Sequence, residues 1–195
     1  MSAQIPYCGR PRRRNAAAAV RQNKKSIETP SLFAILQFAI NNMQEEISYS
    51  YDDIVKAMPH QEPFLFLQSA KIKKDGATGT YKISGNEDFL RGHFKNNPVF
   101  PGTLMLESLG QLCVFYLIMS RNPALEREVD PKKIFVTCTE MARCTRLCRP
   151  GDTFEISVKA VRLRHPVAIF TAHMDVNGER AAYADRITFA FDYKS

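Results

Sequence analysis

Residues 90–119 read LRGHFKNNPVFPGTLMLESLGQLCVFYLIM. From Val99 onward the stretch is apolar on every face, and Glu107 is its only charge. A run of this length without strand-like alternation predicts a long helix from Gly102 to about Met119. A helix that is apolar all round must be enclosed by other elements rather than laid against one surface. It contains Glu107, Gln111 and the glycines 102 and 110, so it reads as a core helix rather than a membrane span. On such a helix Glu107 is expected to be buried. A buried, unpaired carboxylate is costly to ionise, so its pKa should rise. Fourteen residues earlier, His93 follows Gly92 in a loop rich in Asn and Pro. A histidine held opposite such a carboxylic acid makes an acid/base pair able to work at neutral pH.

The flanking sequence supplies the enclosure. YDDIVKAM (51–58) predicts a short helix with Asp52 and Asp53 in its first turn and Pro59 after its end. FLFLQSAKIKK (64–74), the Asp75-Gly76 turn and ATGTYKIS (77–84) predict a hairpin. Further strands are expected at KKIFVTCTEM (132–141), TFEISVKAVRLR (153–164), VAIFTAHMDV (167–176) and RAAYADRITFAFDY (180–193). The tripeptide NGE (177–179) joins the last two as a tight turn. One apolar helix and about five or six antiparallel strands make an α+β domain whose sheet wraps the helix.

Charge is divided unevenly. The chain carries 27 Lys and Arg against 20 Asp and Glu. Seven of the basic residues fall in residues 1–26, which hold no acid, so the remainder is balanced. The excess describes the tail, and nucleic-acid binding by the folded part is not implied. Residues 1–42 read as a basic, disordered extension ahead of a domain spanning 43–195, with a short amphipathic helix at 31–42. The Arg-rich start also matches the composition of an organellar transit peptide; the plainer reading is an unstructured extension of a cytoplasmic protein. Five cysteines, an odd number with no CxxC pair, fit free thiols in a reducing compartment. The spacing of Cys138, Cys144 and Cys148 matches no familiar zinc pattern, and no metal is expected.

Three segments carry a family resemblance: MPHQEPFLFL (58–67), GHFKNNPVFPGTLMLESLGQ (92–111) and RCTRLCRPGD (143–152). They resemble the 3-hydroxyacyl-[acyl-carrier-protein] dehydratases, and the FabZ type more closely than FabA, which carries aspartate at the Glu107 position. The resemblance runs from about Tyr51 to Tyr193. It implies a hotdog fold, a long central helix wrapped by a curved antiparallel sheet. It also implies homodimers, or trimers of dimers, with each site shared between subunits. The implied reaction is loss of water from a (3R)-3-hydroxyacyl chain, giving the trans-2-enoyl product, in fatty acid or related lipid synthesis. No cofactor is implied beyond the phosphopantetheine of acyl carrier protein, which holds the substrate.

By the same resemblance His93 is the base and Glu107 the acid, protonating the departing hydroxyl or holding the water that does. Gly102 offers its backbone N–H to the thioester carbonyl, and Gln111 supports Glu107 from one helical turn away. His60 reads as structural or as part of the site edge. Phe66, Phe94, Phe100, Leu104 and Phe135 are candidates for an acyl tunnel. Arg91, Lys95, Arg143, Arg146 and Arg149 are candidates for docking the acidic carrier protein. Where the family has RFKRPVVPGD, this chain has RCTRLCRPGD, so chain-length preference and docking are open to change. Two rivals share the fold: a hotdog acyl thioesterase and a non-catalytic hotdog subunit of a heteromeric dehydratase. The histidine-to-glutamate motif argues against the first, and the intact pair against the second.

Overall fold

A computed structural model describes residues 46–195. The boundary expected at Met43, the helix at 31–42 and the basic segment 1–26 lie outside the described residues. Strand β1 (Ile47–Tyr49) leads into helix α1 (Tyr51–Ala57). Ser50 and Asp53 form a reciprocal cap there: the Ser50 hydroxyl accepts from the Asp53 N–H, and the Asp53 carboxylate accepts from the Ser50 N–H. Strands β2 (Ser69–Lys73) and β3 (Gly76–Lys82) form the expected hairpin. Helix α2 runs from Gly102 to Met119, as its sequence predicts. Strands β4 (Phe135–Glu140), β5 (Arg143–Cys144), β6 (Thr153–Arg164), β7 (Val167–Val176) and β8 (Glu179–Ala190) complete the described residues.

The strands make one antiparallel sheet of eight, in the order β1-β2-β3-β6-β7-β8-β4, with β5 also pairing β8. Eight replaces the five or six expected, because β1 and β5 are too short to carry a period of two. Phe64–Gln68, expected to begin a strand, is not one. Its backbone bonds elsewhere: the Phe66 N–H goes to the Gln111 side chain and the Gln68 N–H to the Thr80 carbonyl. The sheet bends where its register slips, between Ala160 and Arg162, and between Phe170 and Ala172. Asn177 and Gly178, both at positive φ, turn β7 into β8.

Strand β7 alternates strictly, with Ala168, Phe170, Ala172, Met174 and Val176 buried. These side chains close on α2, whose residues 108–117 are all buried. By length and hydropathy α2 could cross a membrane, yet it is the axis of the core. The sheet does not cover it evenly. Leu104, Leu106 and Glu107 in its first turns are only partly buried. Below that end, Phe66, Phe89, Phe100 and Phe154 meet edge to face, with ring centroids 5.0–6.2 Å apart.

At the sheet's far edge β4 is exposed on both faces, Phe135 and Val136 included. The β3–β6 pair is closed at its turn end by Gly76, where an added Cβ would stand 2.2 Å from the Val158 carbonyl oxygen. That neighbour is backbone and cannot swing away. Gly76→Ala is therefore expected to lower the urea-unfolding free energy by about 1–3 kcal/mol; an unchanged midpoint would mean that the two strands part there without cost.

Candidate active site

His93 is placed by a loop with several tethers. Its N–H donates to the Phe89 carbonyl, and its own carbonyl accepts from the Val99 N–H. The next turn closes on itself: Phe94 and Asn97 exchange backbone hydrogen bonds, and Asn96 takes the positive φ that asparagine tolerates. Arg149 reaches across to the Asn97 side chain at 2.6 Å, and the Phe100 N–H donates to the Cys148 carbonyl. His93 Nδ1 lies 2.8 Å from the Val99 carbonyl oxygen. A carbonyl only accepts, so the proton of a neutral ring is assigned to Nδ1 and the lone pair to Nε2. The free Nε2 is the nitrogen that can take a proton.

That ring shares a cavity of about 360 Å³ with Gly102, Phe94, Phe100, Met105, Cys144 and Leu147. Gly102 opens α2, and Pro101 before it provides no side-chain cap. The first N–H groups of the helix are therefore left available, at its positive end. The space beside the glycine is tight: the Cys144 sulfur would stand 3.1 Å from an added Cβ and would have to shift, and its thiol donates to the Gly102 carbonyl at 3.3 Å. In sequence Cys144 stands out only as a departure from the family pattern; its place beside Gly102 is set by the fold. Burial pushes the Cys144 thiol up and carries Cys148 to about 11, so both stay protonated near neutrality. Among the described residues no group of three or more His, Cys, Asp or Glu side chains could hold a metal ion.

Glu107 departs from expectation in two ways. Its side chain keeps 31% of its exposure instead of being buried, because the first turns of α2 are only partly covered by the described residues. It also does not line the cavity that holds His93. Its neighbours are Gln111 and His60. Gln111 Nε2 donates to Glu107 Oε1 at 3.0 Å, and His60 Nε2 stands 3.5 Å from the same oxygen. The support expected from Gln111 is present as a hydrogen bond. Gln111 does more than that, since it also accepts from the Phe66 N–H and donates to the Phe64 carbonyl. The nearness of His60 to Glu107 was not legible, because no spacing joins a loop residue to a helix residue so far along the chain.

The other candidates divide. Phe94, 53% exposed, and Phe100 line the His93 cavity, whereas Phe66 is sealed in the core. Leu104 lines a second cavity of about 560 Å³ with Phe64, Phe89 and Tyr81. Phe135 lines neither. Arg146 is not a free docking cation: it is half-buried, bound to the Val176 carbonyl, Glu179 and Asp152. Arg149 is exposed but engaged with Asn97, while Arg91 pairs locally with Asp88. Lys95 and Arg143 are exposed.

Replacing Gln111 with Ala would orphan a buried N–H and a carbonyl as well as release Glu107. Gln111→Ala is expected to cost about 2–4 kcal/mol of unfolding free energy, read by urea titration; a loss under about 0.5 kcal/mol would mean that water takes over all three bonds. Burial holds the His60 imidazole below its ordinary range, with the Glu107 charge opposing more weakly. Burial, with Arg180, does the same to His173, and Asp175 opposes. In the unfolded chain both rings protonate near pH 6.5, while the folded state resists that proton. Stability is thus complete above about pH 6.5 and lost as pH falls below it. The urea midpoint should drop between pH 7.5 and 5.5, and a flat profile would contradict the burial of both rings.

A family model described as the FabA-like domain matches residues 58–185. The chain is 34% identical over 148 residues to the 3-hydroxyacyl-[acyl-carrier-protein] dehydratase FabZ of Macrococcus caseolyticus, covering 74% of this chain and 97% of the relative. It is 32% identical over 136 residues to the FabZ of Halalkalibacterium halodurans, covering 69% and 93%. Among solved structures, the dehydratase heterocomplex ApeI:P from Xenorhabdus doucetiae superposes with a TM-score of 0.57 at 14% identity, over 72% of this chain and 91% of that one. This last likeness shares the fold, a long helix in an open antiparallel sheet, which is the hotdog architecture. With the family model spanning most of the chain and relatives matched over almost their full length, the chain belongs to the FabA-like family, alongside the FabZ dehydratases.

Proposed function

We propose that this chain dehydrates (3R)-3-hydroxyacyl groups carried on acyl carrier protein, giving trans-2-enoyl thioesters, in fatty acid or related lipid synthesis. The observation that carries the reading is the His93 cavity, where a histidine with a free Nε2 faces the uncapped start of α2. His93 Nε2 removes a proton from the carbon next to the thioester carbonyl. Negative charge builds on the carbonyl oxygen, and the Gly102 N–H and the helix dipole stabilise it there. The electron pair then forms the carbon–carbon double bond as the β-hydroxyl departs. Glu107 delivers the proton that turns the hydroxyl into water. The reaction is redox-neutral, so it calls for no electron carrier.

The acid reaches the base only if two copies meet. Within one chain Glu107 turns toward Gln111 and His60, and its outer side is open. The same chain leaves Phe135, Val136, Met141 and Leu147 each at least half exposed, on or next to the edge strands β4 and β5. An apolar, two-sided edge is a pairing surface, and a symmetric dimer would cover it. That dimer, alone or in threes, would bring the partner's glutamate to this chain's histidine. Arg91, Lys95 and Arg143 remain as exposed cations for docking an acidic carrier protein and steering its approach.

The test uses (3R)-3-hydroxyacyl carrier-protein thioesters of several chain lengths, followed by mass and ultraviolet absorbance. The wild type should lose one water and gain enoyl absorbance. His93→Ala and Glu107→Gln should each lower kcat by roughly 10²–10⁴-fold. Mixing the two dead variants under subunit exchange should restore activity, because a hybrid dimer holds one intact site. Wild-type turnover by either variant would refute the assignment, and release of free thiol without an enoyl product would point to a thioesterase.

A further inference from the structure

Glu107 meets two nitrogen groups, and both stand at the same oxygen. Gln111 Nε2 donates to Oε1 at 3.0 Å, and His60 Nε2 faces Oε1 at 3.5 Å. Oε2 has no hydrogen-bond partner among the described residues. On the far side of the His60 ring, Nδ1 is sealed from solvent and also lacks a partner. That orphan identifies the tautomer. A proton on Nδ1 would bury an unsatisfied N–H, the rarer and costlier defect. A proton on Nε2 leaves Nδ1 as an unfilled acceptor only and points the N–H at Glu107.

We infer that His60 is a positioning residue: as a neutral ring protonated on Nε2, it joins Gln111 in holding Oε1 as an acceptor, so that Glu107 carries its transferable proton on Oε2. A carboxyl oxygen facing two N–H donors cannot also direct its own proton toward them, so the proton settles on the other oxygen. Oε2 is the oxygen that neither Gln111 nor His60 occupies. At 3.5 Å the His60 contact is long, and hydrogen bonds of this kind tighten when substrate binds. Charge matters as well. An imidazolium here would form an ion pair with Glu107 and hold it ionised, silencing the acid. Burial of the ring opposes that state. The reciprocal fit of the two side chains explains why a loop histidine stands beside the acid without contacting the cavity that holds the base. The inference rests on Glu107 being the acid of the proposed dehydration.

The experiment pairs substitution with spectroscopy on the full chain. The amide nitrogen of glutamine lies where His60 Nε2 does, and that of asparagine lies nearer Nδ1. His60→Gln should keep most of the wild-type kcat. His60→Ala and His60→Asn should lose about ten- to hundredfold in kcat, with KM little changed. In uniformly ¹⁵N-labelled wild-type protein at pH 7, the His60 nitrogens should report a neutral ring protonated on Nε2. That reading requires no variant to fold. Equal kcat for all three variants, or a ring that is charged or protonated on Nδ1, would overturn the inference while a dehydrating wild type keeps the function. A wild type that dehydrates no substrate would remove the function, and this role with it.

Discussion

An 18-residue helix whose one charged side chain is Glu107 cannot stay in water, and the way α2 is enclosed sets most of what surrounds it. A flat sheet covers one side of a helix; only a bent one reaches round it. The register slips in β6, β7 and β8 supply the bend. Alanines along β7 and β8, with Gly79 on β3, keep the strands close enough to seal the axis. The cover ends before the helix does. From Ser108 to Leu117 the enclosure is complete, and toward Gly102 it is open. The open end is also the positive end of the helix, where backbone N–H groups are free to meet developing negative charge. Burial and chemistry are thus divided along one element.

Gln111 marks the division. It lies inside the sealed part, yet its amide fixes the backbone at Phe64 and Phe66 and reaches up one turn to Glu107. A buried amide with three partners has little freedom to move. The loop carrying His60 is the one Gln111 anchors, so histidine and glutamate are both referred to the same core side chain. His93 is held independently, by the Val99 carbonyl and by the 143–152 segment through Phe100, Cys148 and Arg149.

Much of this was legible in the sequence, and the failures have physical causes. α2, the hairpin and the three long strands were readable because long elements carry many turns or repeats of their period. β1 and β5 hold three and two residues, too few for any period, and are defined by their partners. Phe64–Gln68 looks like a strand in composition, but Phe64 and Phe66 bond to the Gln111 side chain on α2, a tertiary choice that no local pattern records. The apolar neighbours of Glu107 in sequence predict burial. The sheet's coverage, set by distant residues, left it one-third exposed. Arg146 shows the converse: its charge suggested a surface, whereas Asp152 and Glu179 draw it inward.

The separation of His93 from Glu107 has a chemical use if the two act together. An imidazole that presents its unprotonated nitrogen to a carboxylic acid takes its proton, and the resulting ion pair is neither base nor acid. Each group works only while the other's proton is out of reach. Mounting the base on a loop and the acid on a helix face turned elsewhere prevents that exchange in one chain. A substrate lying between them would then exchange protons with both, its α-carbon giving one to the imidazole and its hydroxyl leaving as water with one from the carboxyl. On this view the half-open Glu107 is not incomplete packing. Its neighbours Gln111 and His60 can donate to it without removing its proton, and both stand at the same oxygen.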